Sequence, residues 1–224
     1  MLEVSTAADK TALTTVKAVK DQLNIVGTDE DDFIAKAIAQ ATDDICGYLN
    51  IRRAQDATRT VALETLVETF MPGRMHSHRR IHYYSNRRSV VLARWPVKQV
   101  ITVVAGTTTL DPTEYQCSVS GVLERLSSDR VIGWPDLKIV VTYKAGWVMP
   151  EETEGRDLPE SIEGAAIDYI SAMRSGRTRD PLVKSESVPG VGDTDYWVGT
   201  IGDDGAIPPS VTSRLDRFRR ISIG

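Results

Sequence analysis

The sequence predicts an α+β protein in which N- and C-terminal helices form a helical bundle core, with an antiparallel β domain inserted between them. Apolar residues recur every three or four positions near both ends of the chain, which is typical of amphipathic helices. Between these ends they alternate in short runs separated by Gly, Pro, Asp or Ser, which is typical of antiparallel hairpins. The predicted domains are the N-terminal helices at 1–58, the β domain at 59–150, and a C-terminal region at 151–224.

Two helices are predicted first along the chain. The run "TTVKAVKDQLNI" places Val16, Val19 and Leu23 at helical spacing and predicts a helix of about three turns. A longer amphipathic helix follows, and Thr28 and Asp31 at its start resemble a capping box. Its apolar stripe predicts one buried face, made of Phe33, Ile34, Ala37, Ile38, Ala41, Ile45 and Leu49.

The β domain begins with an alternating run, "TRTVALETLVETF", in which Val61 and Leu63 are predicted to face the core and Ala62 and Glu64 to face away. Five further strands are predicted in "SVVLARW", "VKQVITVVAG", "EYQCSVS", "GVLERL" and "LKIVVTYKAG". Between the runs "TRTVALETLVETF" and "SVVLARW" lies a segment rich in arginine, called here the basic segment (residues 71–89). It is predicted to span the tip of a long β-hairpin at 71–89, or to be a loop in place of one.

Helical periodicity returns in the C-terminal region. The run "LPESIEGAAIDYISAMRSG" has Ile162, Ala166 and Met173 on its apolar side. A glycine- and proline-rich segment at 177–206 is predicted to be a long loop, and loops of this length are usually functional or disordered. The last run, "PPSVTSRLDRFRRISIG", predicts a short amphipathic helix with a basic end.

Composition narrows the function classes. The 224 residues are 41% hydrophobic and 26% charged, with a formal net charge of -4, which is ordinary for a soluble globular protein. No apolar run approaches the ~18 residues of a membrane helix, and no secretory signal is recognised at the start. Cys46 and Cys117 lie far apart, which indicates reduced thiols and synthesis in a cytoplasm.

The stretch "RMHSHRRIHYYSNRR", residues 74–88, holds all three histidines and five arginines but no acid. Three imidazoles are enough in number for zinc, but the arginines oppose a divalent cation and the segment offers no Asp, Glu or Cys, so no metal or other cofactor is predicted. Arginines interleaved with tyrosines suit contact with nucleic acid. The alternative is a solvated tip that pairs with acids of a neighbouring subunit. The predicted residues for contact with DNA or an acidic partner are Arg74, Arg79, Arg80, Tyr83, Tyr84, Arg87 and Arg88.

Catalytic motifs are missing from the sequence. It contains no GxSxG, no P-loop and no HExxH, and neither cysteine has a histidine near it in sequence. The acidic run at Asp29–Asp32 stands at a predicted helix start, where it complements the helix dipole. The sequence therefore predicts a protein that is not an enzyme.

Six motifs in order resemble the head–tail connector, or adaptor, proteins of long-tailed bacteriophages. The first is the N-terminal pair of helices, with an acidic turn between them and a tyrosine near the end. The others are "LARWPVKQVITV", "YQCSVSGVLERL", "WPDLKIVVTYKAGW", "LPESIEGAAIDYISAM" and "IPPSVTSRLDRFR". The specificity lies in their order, and the resemblance covers most of the chain.

The resemblance implies a structural virion protein that is made in the host bacterial cytoplasm and stands at the capsid vertex, in the neck. Members of that family assemble, typically as twelve copies, into a ring beneath the portal, where they extend the DNA channel. The implied partners are the portal protein, neighbouring copies of the chain, the next neck or tail protein and the packaged double-stranded DNA, with no membrane.

The region 177–224 is the predicted portal-docking element, because aromatic side chains on a flexible segment are good anchors once they are buried. Tyr196 and Trp197 could instead fold back onto their own subunit. The predicted docking residues are Tyr196, Trp197, Leu215, Phe218, Arg219 and Arg220.

Two other functions stay open. The first is a neck stopper or tail-terminator ring protein, a class often built as β-barrels, so that terminal helices count against it. The second is a monomeric nucleic-acid-binding regulator that uses the basic segment.

Overall fold

The computed structural model describes residues 1–72, 88–151, 155–177, 185–188, 192–195 and 207–220. It contains both helices and antiparallel sheets, so the predicted α+β class is confirmed. The chain divides into two compact units, residues 1–9 with 51–148 and residues 10–50 with 149–224. A helical bundle core with an inserted β domain, and the domain boundaries given for it, stay predictions.

Nine strands lie in the described part of the first unit. In chain order they are β1 (Leu2–Thr6), β2 (Glu64–Phe70), β3 (Ser89–Val91), β4 (Val97–Ala105), β5 (Thr108–Thr109), β6 (Tyr115–Cys117), β7 (Val122–Ser127), β8 (Arg130–Ile132) and β9 (Ile139–Ala145). One sheet has the order β1-β2-β9-β4-β5, and a second has the order β3-β7-β6 with β8 also paired to β7. All six runs predicted as strands contain one, whereas β1, β5 and β8 were not predicted.

The core of the first unit forms on the inner faces of these strands. Leu66, Val103, Leu123, Val141 and Tyr143 are all completely buried. They come from four strands that are distant in sequence, so this core exists only once the strands are paired.

The predicted orientation of β2 is wrong. Its buried positions are Glu64, Leu66 and Glu68, whereas Leu63 and Thr65 are half-buried. The prediction placed Glu64 outside because charged side chains are rarely buried without partners. Here both glutamates have partners on other strands and loops, described below.

The strands on either side of the basic segment do not pair with each other. β2 lies between β1 and β9 in one sheet, whereas β3 pairs with β7 in the other. The segment therefore connects two sheets, and the prediction that these strands are the arms of one hairpin is wrong.

Among its described residues, the second unit contains four α-helices: α1 (Val16–Leu23), α2 (Asp31–Tyr48), α3 (Glu160–Gly176) and α4 (Pro209–Leu215). Helix α3 contacts α1, α2 and α4. A 3-10 turn at Asp216–Phe218 follows α4. The segment predicted to be a long loop contains an antiparallel pair, β10 (Ser185–Val188) and β11 (Gly192–Asp195). No helix within the described ranges is long and apolar enough to cross a membrane.

The start of α2 differs from the prediction. Glu30 is the N-cap and makes no side-chain capping bond, so the capping box of Thr28 and Asp31 does not form. The Asp31 carboxylate instead pairs with Lys20 at 2.7 Å. The predicted buried stripe is confirmed except at Phe33, whose half-exposed ring lies 4.2 Å from the Arg177 guanidinium carbon.

Candidate assembly surface at the C-terminal segment

The C-terminal segment is anchored in its own unit by three apolar side chains. Ile207, Val211 and Leu215 are 7%, 1% and 0% exposed. Pro209 stands in the first turn of α4, where a missing backbone N–H leaves no intrahelical bond unmade. Leu215, predicted to dock on the portal, is thus packed inside the subunit that carries it.

The end of α2 holds the chain that follows α4. The Tyr48 hydroxyl donates a hydrogen bond to the Asp216 carboxylate. Asn50, in the left-handed region at φ 57, donates from its side-chain amide to the Arg220 carbonyl at 2.7 Å. Burial, and then the Asp216 carboxylate, raise the pKa of Tyr48, so the phenol keeps its proton and remains the donor.

Four arginines lie on this anchored segment, and we call Arg214, Arg217, Arg219 and Arg220 the C-terminal arginine cluster. Arg214 pairs with Asp168 at 2.8 Å. Two of the other arginines lie over aromatic rings. The Arg217 guanidinium carbon lies 4.7 Å from the ring centroid of Phe218, and that of Arg219 lies 4.9 Å from the ring centroid of Tyr48.

This arrangement suits a negatively charged partner surface. Residues 214–220 contain four arginines and one acid, and Arg214, Arg217 and Arg219 are exposed. A guanidinium group stacked on a ring keeps N–H donors at its edge, in a geometry that matches carboxylates and phosphates. The cluster can therefore bind an acidic surface while the half-buried Phe218 ring contributes apolar contact.

A buried glutamate joins the two ends of the basic segment in the first unit. Glu68, before the segment, is 1% exposed. Its Oε2 accepts hydrogen bonds from the Ala93 amide, after the segment, at 2.8 Å and from the Tyr143 hydroxyl at 3.0 Å. Arg52 lies 3.6 Å from Oε1. Burial raises the pKa of Glu68 even though these donors oppose it.

Arg94 fixes the preceding loop in the same region. Its side chain is buried, donates to the Thr60 carbonyl, and reaches the Thr58 carbonyl at 3.4 Å. It also lies 3.9 Å from Glu64, and burial raises the pKa of that carboxyl. The arginine therefore explains how Glu64 is accommodated on the inner face of β2.

The residues that hold the C-terminal segment and the two ends of the basic segment in place were not predicted from the sequence. Glu64 and Glu68 alternate with Leu66, which is a detectable strand signal, but the pattern does not show that the glutamates face inward. Tyr48 ends a predicted helix, and nothing in the sequence pairs it with Asp216.

Of the residues predicted to contact DNA or an acidic partner, Arg88 is described and is exposed. Phe218, Arg219 and Arg220 lie together on the segment after α4. The remaining predicted site residues lie outside the described ranges: Arg74, Arg79, Arg80, Tyr83, Tyr84, Arg87, Tyr196 and Trp197.

One shallow cleft of about 290 Å³ lies along β4 and β6. Its lining includes Lys98, Tyr115 and Cys117. Burial raises the pKa of Cys117 to about 11, so this thiol is protonated and weakly nucleophilic at neutral pH. Among the residues with described positions, no group of three or more His, Cys, Asp or Glu could hold a metal ion.

Residues 13–70 match the family model "Phage gp6-like head-tail connector protein". No curated protein matches the chain.

Two solved structures are similar to it in fold along its length. A chain in "Virion of native gene transfer agent (GTA) particle" is 15% identical, with a TM-score of 0.53, and the match covers 100% of this chain and 98% of that one. A chain in "Neck of empty GTA particle computed with C6 symmetry" is 14% identical, with a TM-score of 0.52 and the same coverage. The resemblance to phage head–tail connectors is confirmed, and residues 13–70 are the part of the chain that carries the connector signature.

Proposed function

We propose that this chain is a head–tail adaptor: a structural, non-enzymatic protein of the virion neck that joins the capsid to the neck or tail. The observation that carries the proposal is the connector match over residues 13–70, which include α1, α2 and β2. The fold likeness to chains of gene transfer agent particles, one of them described as a neck, supports the same place in a virion.

The adaptor acts as a ring on the portal. Twelve copies is the number that the family resemblance implies, and the ring extends the DNA channel and presents a surface to the next neck or tail protein. Arg88 and the rest of the basic segment face either channel DNA or an acidic protein surface. A concentrated positive charge that is repeated around a ring binds an anionic surface far more strongly than one copy does.

The region 177–224 supplies contacts with partners. Leu215 is buried inside its own unit, so the residues proposed for the partner contact are Phe218, Arg219 and Arg220, with Tyr196 and Trp197 as predicted from the sequence. The portal is the partner that the family resemblance implies for this region.

Reconstitution with portal-bearing heads tests the proposal. Purified protein should bind heads that contain portal and should not bind heads assembled without it, as measured by co-sedimentation and by imaging of the vertex. Binding that does not depend on portal, or binding to free DNA alone, would support a nucleic-acid-binding regulator instead. Binding that requires the next neck protein to be in place first would support a stopper or tail terminator.

A further inference from the structure

An apolar side chain projects from the turn between α1 and α2. Val26 is 95% exposed. The turn around it is tied down, because the Lys20 ammonium donates to the Gly27 carbonyl and pairs with the Asp31 carboxylate at 2.7 Å. Gly27 takes φ +85, a conformation that L side chains rarely adopt. Val26 is therefore a stiff side chain on a fixed turn, and burying it against a partner costs little conformational entropy.

Four acidic residues, 29–32, follow this valine in sequence. The Glu30 carboxylate accepts hydrogen bonds from Nε and Nη2 of Arg174, both at 2.7 Å, and the Asp31 carboxylate pairs with Lys20. Asp29 and Asp32 take part in neither pair and are exposed. Favourable interaction with the positive end of the α2 dipole explains acids here in general, but it does not explain an exposed valine beside them. We call Val26, Asp29 and Asp32 the acidic tip.

The chemical complement of the acidic tip lies at the other end of the same helix. Tyr48, the last residue of α2, carries Arg219 on its ring, and Arg217 lies over the half-buried Phe218 ring. One end of the helix thus offers an apolar side chain with negative charge, and the other offers aromatic surface with positive charge. Helix α2 has 18 residues, so its ends are about 27 Å apart at ~1.5 Å per residue. The two surfaces of one subunit cannot contact each other.

We propose that the C-terminal arginine cluster binds the acidic tip of a second copy of this chain. The contact is heterologous, since it uses two different surfaces, and repetition of such a contact gives a closed ring when the rotation closes. This inference rests on the proposed ring function and assigns one of its interfaces. Within 177–224, the portal contact then falls to Tyr196 and Trp197, because the arginines face the neighbouring copy.

Charge reversal with rescue tests the contact in assembled particles. The double variants Arg217→Glu/Arg219→Glu and Asp29→Arg/Asp32→Arg should each reduce the copies retained per neck at least about tenfold, because lost pairs are replaced by like charges. Combining all four changes should restore retention. The matched control Lys98→Glu/Arg130→Glu makes the same charge change at exposed residues of the first unit and should retain copies normally.

Crosslinking separates a failure of the interface from a failure of the adaptor function. A Val26→Cys/Arg219→Cys variant, with Cys117→Ser as background, should give copy-to-copy crosslinks with a short bismaleimide. Cysteine-variant protein that enters necks normally but gives no 26-to-219 crosslinks would overturn the interface and leave the adaptor function standing. Wild-type protein missing from necks would overturn the adaptor function, and crosslinking of concentrated full chain would then decide the interface. If 26-to-219 crosslinks persist when Arg217→Glu is added to the cysteine variant, while DNA retention falls, the cluster is assigned to DNA and the inference is overturned.

Discussion

Replacing Glu68 tests whether one buried carboxylate joins the two ends of the basic segment. Glu68→Ala removes the acceptor for the Ala93 amide and the Tyr143 hydroxyl, whose bonds measure 2.8 and 3.0 Å. A buried donor without its acceptor costs about 1–3 kcal/mol, and the half-buried amide lies at the lower end of that range. The expected loss is therefore about 2–5 kcal/mol, a large share of the ~5–15 kcal/mol of a typical domain.

Glu68→Gln is the matched control. Both hydrogen bonds converge on one oxygen atom, so the carbonyl oxygen of glutamine can accept both. The change removes only the ion pair with Arg52, whose side chain is 59% exposed, and such pairs contribute less than about 1 kcal/mol. We expect Glu68→Gln to lie within about 1 kcal/mol of the wild type at neutral pH.

The pH dependence of the same pair of proteins has a defined sign. Burial raises the pKa of Glu68 from its ordinary value of 4.5, so the folded state holds this proton more tightly than the unfolded state does. Stability from this group is then fully present below pH ~4.5 and is lost as the pH rises through the raised folded pKa. Glu68→Gln lacks this contribution and should gain stability relative to the wild type across that window, while the slope due to Glu64 remains in both.

Urea unfolding followed by tryptophan fluorescence measures these effects. Trp95, Trp134 and Trp147 belong to the first unit, so in a Trp197→Phe background the signal reports on the unit that contains Glu68. Equal stabilities for the Ala and Gln variants would refute the reasoning, because they would show that neither hydrogen bond stabilises the fold.

Three further changes give predictions with simpler outcomes. Leu215→Ala removes a completely buried side chain and should lower the free energy of unfolding in urea by about 2–5 kcal/mol. The control Ser213→Ala changes an exposed residue and should alter that free energy by less than about 0.5 kcal/mol. Equal losses in the two variants would contradict the anchoring role of Leu215. Serine in place of four arginines of the basic segment should barely change the melting temperature of the isolated chain. In particles the same change should weaken DNA retention or neck attachment, with a greater loss at high salt. A large drop in melting temperature would show that these arginines are structural. These are Arg79, Arg80, Arg87 and Arg88. Purified protein should hold no stoichiometric zinc after dialysis, and zinc that disappears on changing His76, His78 and His82 to Ala would overturn this expectation.

Local periodicity was sufficient to predict the helices. Ile34, Ala41 and Ile45 are completely buried on α2, as their spacing predicts, because the 3.6-residue repeat is a property of the helix alone. The strand runs were found for the same reason. Elements whose pattern lies within their own sequence are therefore predictable, whatever they pack against.

Long-range partners were not predictable in the same way. Glu68 faces inward because Tyr143, 75 positions away, and Ala93, 25 positions away, donate to it. The basic segment is not the tip of a hairpin formed by β2 and β3, because β2 pairs with β9 instead. The alternation of residues in β2 does not reveal either fact, because a period of two shows that alternate residues share a face but not which face is buried.

Half of the candidate assembly surface was predictable from the sequence. Phe218, Arg219 and Arg220 follow a short amphipathic helix and carry an evident local charge. Their partner Tyr48 was missed because the Tyr48 and Asp216 side chains meet across 168 positions. The pairing decides which way the arginines face, and it depends on the packing of α4 against the other helices.

Buried and exposed charges in this chain should respond to different experiments. Glu68 is buried, so its replacement changes the free energy of unfolding of the chain by itself. Arg217 and Arg219 are exposed, and each pair they form contributes less than about 1 kcal/mol, so their reversal should leave unfolding nearly unchanged. In a closed ring, however, every copy uses both its acidic tip and its arginine cluster, and the portal raises the effective concentration of copies. Weak contacts that are invisible in the monomer therefore add up around the ring, and the loss of assembly without loss of stability is the result that identifies them.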